Sequence, residues 1–418
     1  MDRNYRFVKL GCYASNITMS IVGNLPALLF LTFRHLYGIS YTLLGMLVLV
    51  NYATQLSMDL LFSFFSHRFN IQKTVRFSPI LSIVGLLLFA SAPFLFPNAV
   101  YLGLVLGSVL FAAASGLNEV LLSPVIAALP SKNTEREVSK LHSIYAWGVV
   151  AVVIITTLFL LLFTSTRWYY LPILFTIVPL FALVSFFSSH LPHLDTPERA
   201  SGAMSMLKNK TLLLCVLAIF LGGASEVTMA QWCSSYLEQA LGIDKVWGDI
   251  FGAAAFAATL GLGRSLYAKY GKNIEKILFL SGVGASVCYL ICVFSPWPIF
   301  GLIACALTGL CTAMMWPGSL VVCSSRVTTG GVFVFAMMAA GGDLGAAIGP
   351  QLVGIVTDAV TTMPSATTWA SGLGITLEQL SMKLGLAVGA LFPLVSIFIF
   401  WRLWKKKPSK PSLPLIEK

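Results

Sequence analysis

Four acidic residues lie inside long apolar stretches of a chain in which only 10% of the residues are charged: Asp59, Glu119, Glu226 and Asp343. Placing an ionised carboxylate at the centre of a bilayer costs about 2.5–3.5 kcal/mol on insertion scales. The presence of these residues therefore suggests that they have a function in a water-filled cavity. No Lys or Arg lies equally deep inside a predicted apolar span. A carboxyl group that is buried without a neighbouring cation favours its neutral, protonated form. We therefore predict that Glu119, Glu226 and Asp343 take up and release protons near pH 7.

Glu119 is the strongest of these candidates because polar residues share its helix face. Ser115, Glu119 and Ser123 follow one another at four-residue spacing, which places them on one side of a helix. Pro124 then removes a backbone donor and permits a kink. We expect protonated Glu119 to favour substrate binding and its deprotonation to accompany release. The alternative is a neutral buried acid that bonds to a neighbouring helix.

Glu226 is predicted to bind substrate hydroxyl groups first and protons second. Gly222 and Gly223 precede it, and local unwinding there would expose backbone groups to a substrate. Deep Trp side chains could stack on the C–H face of a sugar, although plain packing explains them equally well. The predicted substrate-binding residues are Ser115, Asn118, Ser123, Trp147, Glu226, Gln231, Trp232 and Trp316.

A polar stripe descends the second apolar segment, where Asn51, Gln55 and Asp59 recur every four residues toward Arg68. We interpret it as a wetted surface between the two halves or as gating contacts, with a purely structural role as the favoured alternative. Asp343 lies among glycine and alanine residues that let another helix approach closely, so packing and proton relay are both open for it. The predicted gating residues are Asn51, Gln55, Asp59, Arg68, Lys269 and Gly271.

The elements that position these residues are membrane-spanning helices. The 418 residues are 57% hydrophobic, and twelve spans of about 20 residues would leave room for short loops. Continuous apolar runs exclude an outer-membrane barrel, which would alternate. Apolar blocks predict helices near residues 7–32, 40–66, 75–96, 101–128, 142–164, 169–188, 211–236, 247–267, 275–294, 298–321, 331–357 and 380–403. The chain thus divides into a six-helix bundle at 1–188, a cytoplasmic linker at 189–210, a second bundle at 211–403 and a basic cytoplasmic tail at 404–418.

The basic residues are distributed as the positive-inside rule requires. If both termini are cytoplasmic, all but four of the 27 Lys and Arg residues fall on the cytoplasmic side. The exceptions are Arg34, Arg167, Lys245 and Lys383. This bias explains the net charge of +11 without nucleic acid. We predict a multi-pass protein of the cell membrane with both termini in the cytoplasm.

Repeated spacings relate the two halves. Gly116-Leu117 and Pro124 recur as Gly309-Leu310 and Pro317 at an offset near half the chain length, as in transporters built from parallel repeats.

The chain resembles the major facilitator superfamily, whose loop motif is Gly-x-Leu-x-Asp-Arg-x-Gly-Arg. Leu266, Lys269, Gly271 and Lys272 fit its second copy. The first copy keeps Arg68, with His67 in place of the acid and Asn70 in place of glycine. The resemblance implies two pseudo-symmetric six-helix halves.

A narrower resemblance is to the fucose permease-like sugar:proton symporters. Glu119-x-x-x-Ser123-Pro124 is similar to that group's Glu-x-x-x-Asn-Pro, and Gly223-x-x-Glu226 with Trp232 and Tyr236 is similar to its seventh helix. The group's acidic residue in the first helix has no counterpart here. This resemblance implies proton-coupled symport of a monosaccharide or similar small polar solute.

Two other functions stay open at this point, a drug:proton antiporter and a nutrient receptor that no longer transports. Protease and Walker motifs are missing from the sequence, so we predict neither an enzyme nor an ATP-driven pump. The eight Cys lack the spacing of a zinc site and are interpreted as reduced hydrophobic residues. We expect no cofactor and no metal, a monomer in the lipid bilayer, and a small-molecule substrate with protons as partners.

Overall fold

The computed structural model describes residues 3–65, 69–131, 134–192, 208–327 and 331–405. Helices dominate this part of the chain, and eleven of them are long and apolar enough to cross a membrane. A bent pair at the N-terminal end makes a twelfth span. The predicted all-α polytopic fold is therefore confirmed.

The N-terminal half contains six spans. Two of them are interrupted, the first by a bend and the sixth by a single residue. A short 3-10 turn at Ser165–Arg167 precedes the sixth. The spans are α1 (Arg3–Leu28 with Phe30–Tyr37), α2 (Tyr41–Phe65), α3 (Ile71–Leu95), α4 (Val100–Ala127), α5 (Thr134–Phe163) and α6 (Tyr170–Phe175 with Ile177–Phe187).

The C-terminal half also contains six spans. The eighth includes a π-helical turn at Asp249–Ala254, and a short helix, Ala366–Gly372, precedes the twelfth. The sequence did not predict either feature. The spans are α7 (Lys210–Leu241), α8 (Lys245–Gly248, the π turn and Ala255–Tyr270), α9 (Ile274–Phe294), α10 (Pro298–Thr312 with Met315–Arg326), α11 (Gly331–Thr362) and α12 (Leu377–Gly389 with Leu391–Lys405).

The first span is bent, which corrects the prediction of one continuous helix over residues 7–32. Its two segments meet at Leu29 and are inclined by 45°. Pro26 lies in the last turn before the break, where it lacks the N–H that a regular helix would use. The bend carries Phe30–Tyr37 over the interface with the other half.

Asparagine side chains start the same span of each half. Asn70 accepts a hydrogen bond from the Lys73 N–H at 3.0 Å and begins α3, while Asn273 accepts from the Lys276 N–H at 3.0 Å and begins α9. An Asn at this position satisfies a backbone donor that the first turn leaves free. Asn70 therefore acts as a helix cap where the family motif has glycine.

The helices of the two halves pack in the same pattern, which supports the predicted pseudo-symmetry. The contacts α1–α5, α2–α4 and α3–α4 in the first half correspond to α7–α11, α8–α10 and α9–α10 in the second. Between the halves, α2 packs along α11, α5 along α8, and α1 against α7. Large apolar side chains such as Phe94, Leu162 and Phe294 remain exposed on the outside of the bundle, as a lipid-facing surface requires.

The bundle has two ends, here called the terminal side and the opposite side. The terminal side carries Arg3 and Lys405 and is the side that the charge distribution predicts to be cytoplasmic. The opposite side carries the α1–α2 and α7–α8 connections. The predicted linker between the halves falls mostly at 193–207, outside the described residues.

Candidate functional site

A small cavity of about 60 Å³ lies between the two halves near the middle of the bundle. Asn24, Tyr52 and Tyr145 line it from the first half, and Glu226 and Gln231 line it from α7 of the second. A cavity of this size holds a few water molecules. Hydrogen-bonding groups from both halves therefore converge on one wet space.

Glu226 forms an ion pair, which corrects the expectation of a carboxylate without a cation. Arg264 of α8 donates from Nη2 to Glu226 Oε1 at 3.2 Å and to Oε2 at 3.4 Å. Its Nε also donates to the Ala313 carbonyl of α10 at 3.2 Å. Three spans of the second half are thus joined at the cavity wall, and Glu226 is held with its charge compensated.

Glu119, Asp59 and Asp343 form a second group, and no Lys or Arg among the described residues compensates its charge. Asp59 and Asp343 are buried and face each other across the contact between α2 and α11. Each of these aspartates faces the carboxyl group of the other, and the charged neighbour that they share is Glu119 of α4. The side chain of Glu119 is exposed in the bundle. This group therefore combines an exposed carboxyl with two buried ones.

Close helix packing places these carboxyl groups. Gly116 lets α4 approach α2 so tightly that a Cβ there would lie 2.9 Å from the Gln55 carbonyl oxygen. In the second half, a Cβ at Gly345 would lie 2.0 Å from the Phe220 carbonyl oxygen, so α11 is pressed against α7. The small residues beside Asp343 thus serve the close approach that the sequence indicated.

The expected unwinding of α7 beside Glu226 is wrong. Lys210–Leu241 is one continuous helix. A Cβ at Gly223 would lie 2.5 Å from the Gly342 carbonyl oxygen, and one at Gly222 would lie 3.0 Å from Met315. The two glycines therefore permit tight packing against α11 and α10, and their backbone groups stay in the helix.

The opposite side of the interface is closed by a helix cap that crosses from one half to the other. Asp358 of α11 accepts hydrogen bonds from the Tyr41 N–H at 3.1 Å and the Thr42 N–H at 2.6 Å. These are free donors at the start of α2, where the helix dipole also favours a negative charge. Gly354 allows the approach, since a Cβ there would lie 2.3 Å from the Tyr41 carbonyl oxygen.

Trp232 packs at the same closed end of the interface and does not line the central cavity. Its ring is fully buried against Phe30 and Tyr41, with centroid distances of 5.2 and 6.0 Å. Its indole N–H donates to the Pro350 carbonyl at 2.9 Å. In this arrangement neither its face nor its donor is available to a substrate.

Asp249 adds a third contact on the opposite side. It is fully buried and accepts a hydrogen bond from the Thr157 hydroxyl of α5 at 2.8 Å. Lys245, one turn earlier, lies 3.2 Å from the same carboxylate and donates to Ser234 at 3.0 Å. The sequence had not placed Asp249 among the deep acids because it lies near the predicted start of its span.

On the terminal side a larger cavity of about 780 Å³ lies between α5 and α8. Trp147 lines it with 70% of its surface exposed, and Arg264 and Lys269 supply positive charge. Ala146 and Ala257 line this cavity and the central one alike. The opposite side thus combines these contacts between the halves with a cavity of about 280 Å³, while the larger cavity lies on the terminal side.

The remaining predicted substrate residues differ in their surroundings. Gln231 lines the central cavity and donates to the Gly23 carbonyl of α1 at 3.0 Å, so it bridges the halves. Asn118 accepts from the Ser78 hydroxyl of α3 at 2.7 Å, away from the cavity. Ser115 is buried and Ser123 is partly buried on α4. Trp316 is partly buried beside the glycines of α7 and α11.

The polar stripe of α2 is bonded mainly within its own half. Asn51 donates to the Val22 carbonyl of α1 at 3.2 Å, and Gln55 donates to Asn51 at 2.5 Å. Asp59, by contrast, faces Asp343 of α11. Lys269 and Gly271 end α8 on the terminal side, and Arg68 lies outside the described residues.

Four residues of the central site were missed by sequence reasoning: Asn24, Tyr52, Tyr145 and Arg264. Arg264 falls within the predicted eighth span but one turn from its end, so it was assigned to the cytoplasmic charge. The other three are uncharged and carry no spacing signal. Their common feature is a polar atom on an otherwise apolar helix, which is too frequent to single them out.

Comparison with known proteins places the sequence in a family. A sequence model of the Major Facilitator Superfamily matches residues 12–350. Membrane protein MosC of Rhizobium meliloti is 25% identical over 386 residues, which cover 87% of this chain and 83% of MosC.

Solved structures with the same fold include several transporters. A bacterial homologue of the human lysosomal transporter Spinster aligns with a TM-score of 0.73 at 13% identity, covering 99% of this chain and all of that one. A D-xylose–proton symporter aligns at 0.72 and 14% identity, covering 96% and 97%. The fucose:proton symporter of E. coli aligns at 0.59 and 15% identity, covering 94% and 99%. At these identities the likeness shows the fold alone.

Proposed function

The chain belongs to the major facilitator superfamily, and we propose that it is a proton-coupled symporter of a monosaccharide or similar small polar solute. Membership indicates a multi-pass membrane transporter rather than an enzyme. The finer proposal concerns the coupling ion, the solute and the direction of flux.

One observation carries the proposal of proton coupling. Glu119 has an exposed side chain in the bundle, and the charged groups that share its surroundings at the α2–α11 contact are the carboxyls of Asp59 and Asp343. Among the described residues no cation faces these three carboxyl groups, so they cannot all be ionised without strong mutual repulsion. Such a group gains and loses protons more readily than paired carboxylates do. Asp343 and Glu119 thus keep the proton-coupling role, while Glu226 is better suited to substrate because Arg264 compensates its charge.

The central cavity provides suitable groups for a hydroxylated solute. The Glu226–Arg264 pair offers a carboxylate acceptor and a guanidinium donor, and Gln231 and Asn24 offer amide groups. Tyr52 and Tyr145 add phenol groups and aromatic faces. Two of the solved structures with this fold are named as proton symporters of xylose and fucose, which supports a sugar as the solute.

Alternating access follows from how the halves are joined. The cavity of about 60 Å³ is too small for a monosaccharide, so the two halves must separate to admit one. On the opposite side, separation breaks the bonds that Asp358, Gln231 and Asp249 make across the interface. We propose that solute and proton together allow these contacts to exchange for others on the terminal side. The terminal side is proposed to face the cytoplasm of a cell whose plasma membrane holds the protein.

The purified protein in proteoliposomes tests this function. A panel of monosaccharides is added without a pH gradient while internal pH and labelled sugar are followed. Sugar-evoked proton uptake is the expected result. Sugar uptake without proton movement refutes the coupling, and binding without flux identifies a receptor.

A drug:proton antiporter is the second candidate because of the terminal-side cavity. Its walls are mainly apolar, with an exposed Trp147 beside Val150 and Leu262. A lipophilic cation would fit the apolar walls but not the charge of Arg264 and Lys269. Proton release from the vesicles on addition of a hydrophobic drug would favour this candidate over sugar symport.

A further inference from the structure

We infer that Asp59 and Asp343 hold one shared proton between the two halves, and that this proton fastens α2 to α11 on the terminal side of the central cavity. The inference rests on the proposed proton coupling but assigns the proton to a different place, the contact between the halves. It makes the pair a proton-dependent lock on the interface.

The surroundings of the pair leave three of its four carboxyl oxygens buried without a donor. Asp59 is 6% exposed and Asp343 is 2% exposed. Both oxygens of Asp59 and Oδ2 of Asp343 are buried and have no hydrogen-bond partner among the described residues. Buried polar groups in folded proteins are nearly always bonded, so an unbonded pair of facing carboxyls points to a ligand that supplies a donor.

We assign that donor to a single proton. With one proton, the O–H of one carboxyl donates to the carboxylate of the other, and the pair carries one negative charge. When that proton leaves, the pair carries two negative charges with no donor between them, and the carboxylates repel. The bond across the interface is then lost. The pair thus joins the halves when protonated and pushes them apart when it is not.

Glu119 supplies the route for the proton. It is the charged neighbour of both aspartates and has an exposed side chain, whereas they are buried. A proton that leaves the pair can pass to the Glu119 carboxylate and from there to water. Tyr52 of α2 also lies in electrostatic range of Asp343 and Glu119. No Lys or Arg faces the pair among the described residues.

The position of the pair makes the lock directional. Asp358 fastens the same two helices at the other end, where it caps the start of α2 without any proton. The two contacts lie on one helix pair, α2 and α11, at different depths. Deprotonation therefore weakens the α2–α11 contact toward the terminal side and leaves the opposite-side contact in place.

Distance measurements between spin labels test the inference. In a background with the eight Cys replaced, labels are placed at Lys73→Cys and Lys272→Cys, exposed sites on the terminal side of the first and second halves. Distances are recorded from pH 5 to pH 9 without solute. We expect the longer-distance population to rise with pH in the otherwise unchanged protein. Sodium at fixed pH should not reproduce the change, and a change that follows sodium instead would overturn the inference.

Asparagine variants identify the groups responsible. In Asp343→Asn or Asp59→Asn the amide N–H donates to the remaining carboxylate, so the halves stay joined without a proton. Each variant should show the short distance at every pH. The matched control is Glu275→Gln, which changes a carboxyl paired with Arg326 within the second half and should keep the pH response. A wild-type response in both Asn variants would overturn the inference.

Infrared difference spectra between low and high pH provide a second measurement that does not depend on labels or on transport. The spectra of wild type should contain the C=O band of a protonated carboxyl, and this band should lose intensity in Asp343→Asn. Because neither measurement uses a solute, failure of sugar-evoked proton uptake with an intact pH response refutes the proposed function alone. Normal proton-coupled uptake with an unchanged band refutes the shared proton alone.

Discussion

Replacing Asp358 with Ala should shift the protein toward a form that is open on the opposite side. The carboxylate accepts two backbone N–H bonds from the start of α2, at 3.1 and 2.6 Å, and these bonds cross the interface between the halves. They exist only while that side is closed. Their loss therefore destabilises the closed form and leaves the open form unaffected.

The size of the shift follows from the cap. Replacing a capping side chain with Ala costs about 0.5–2 kcal/mol, and a negative charge at a helix N-terminus contributes about 0.3–1 kcal/mol. A loss of about 1–2 kcal/mol changes the ratio of closed to open molecules about 5- to 30-fold. Asp358→Asn should give a smaller shift than Asp358→Ala, because its single amide oxygen still accepts one of the two N–H bonds while the second acceptor and the charge are lost.

Spin labels at Asn98→Cys and Ser371→Cys, both exposed on the opposite side, would report the change as a larger population of long distances. The Glu378→Gln variant breaks another contact between the halves on this side. There the Arg34–Glu378 separation is 4.0 Å and Glu378 is half exposed, so its effect should lie near the low end of about 0.2–1 kcal/mol. Equal shifts in Asp358→Ala, Asp358→Asn and Glu378→Gln would show that the cap does not hold this side closed.

Three further predictions concern other carboxyl groups. Glu119→Gln should abolish uphill accumulation of solute in proteoliposomes while exchange remains measurable, because it cannot release a proton; unchanged accumulation would remove Glu119 from coupling. Glu226→Gln should raise the dissociation constant for solute about tenfold or more, since it loses a charge-assisted bond and unbalances Arg264; calorimetry showing normal affinity would contradict this role. Lys9 lowers the pKa of Glu137 from its ordinary value of 4.5 through their ion pair, so the pair stabilises the protein above that pH and the effect disappears as acid protonates Glu137. Lys9→Met should lower the melting temperature by roughly 1–2 °C at pH 7 and should leave it unchanged well below pH 4. A difference in melting temperature that persists in acid would show that lost packing, not the ion pair, is the cause.

The number and order of the spans could be read from the sequence because a bilayer demands about 20 apolar residues for each crossing. The breaks inside the spans could not. The bend at Leu29 and the π-helical turn at Asp249–Ala254 leave the apolar pattern intact. Gly222 and Gly223 illustrate a related error, since glycine suits both unwinding and close packing, and the neighbouring helix decides which occurs.

The sequence by itself determined that this chain crosses a membrane twelve times in two related halves and that a few carboxyl groups lie within it. Composition, length and the placement of charge suffice for that, because they follow from the cost of putting polar groups in lipid. The tertiary structure decided which carboxyl is paired and which is not. Glu226 meets Arg264, while Asp59 meets Asp343 across the interface. Such pairs depend on how each helix is rotated about its own axis, and that rotation is set by packing between helices far apart in the chain.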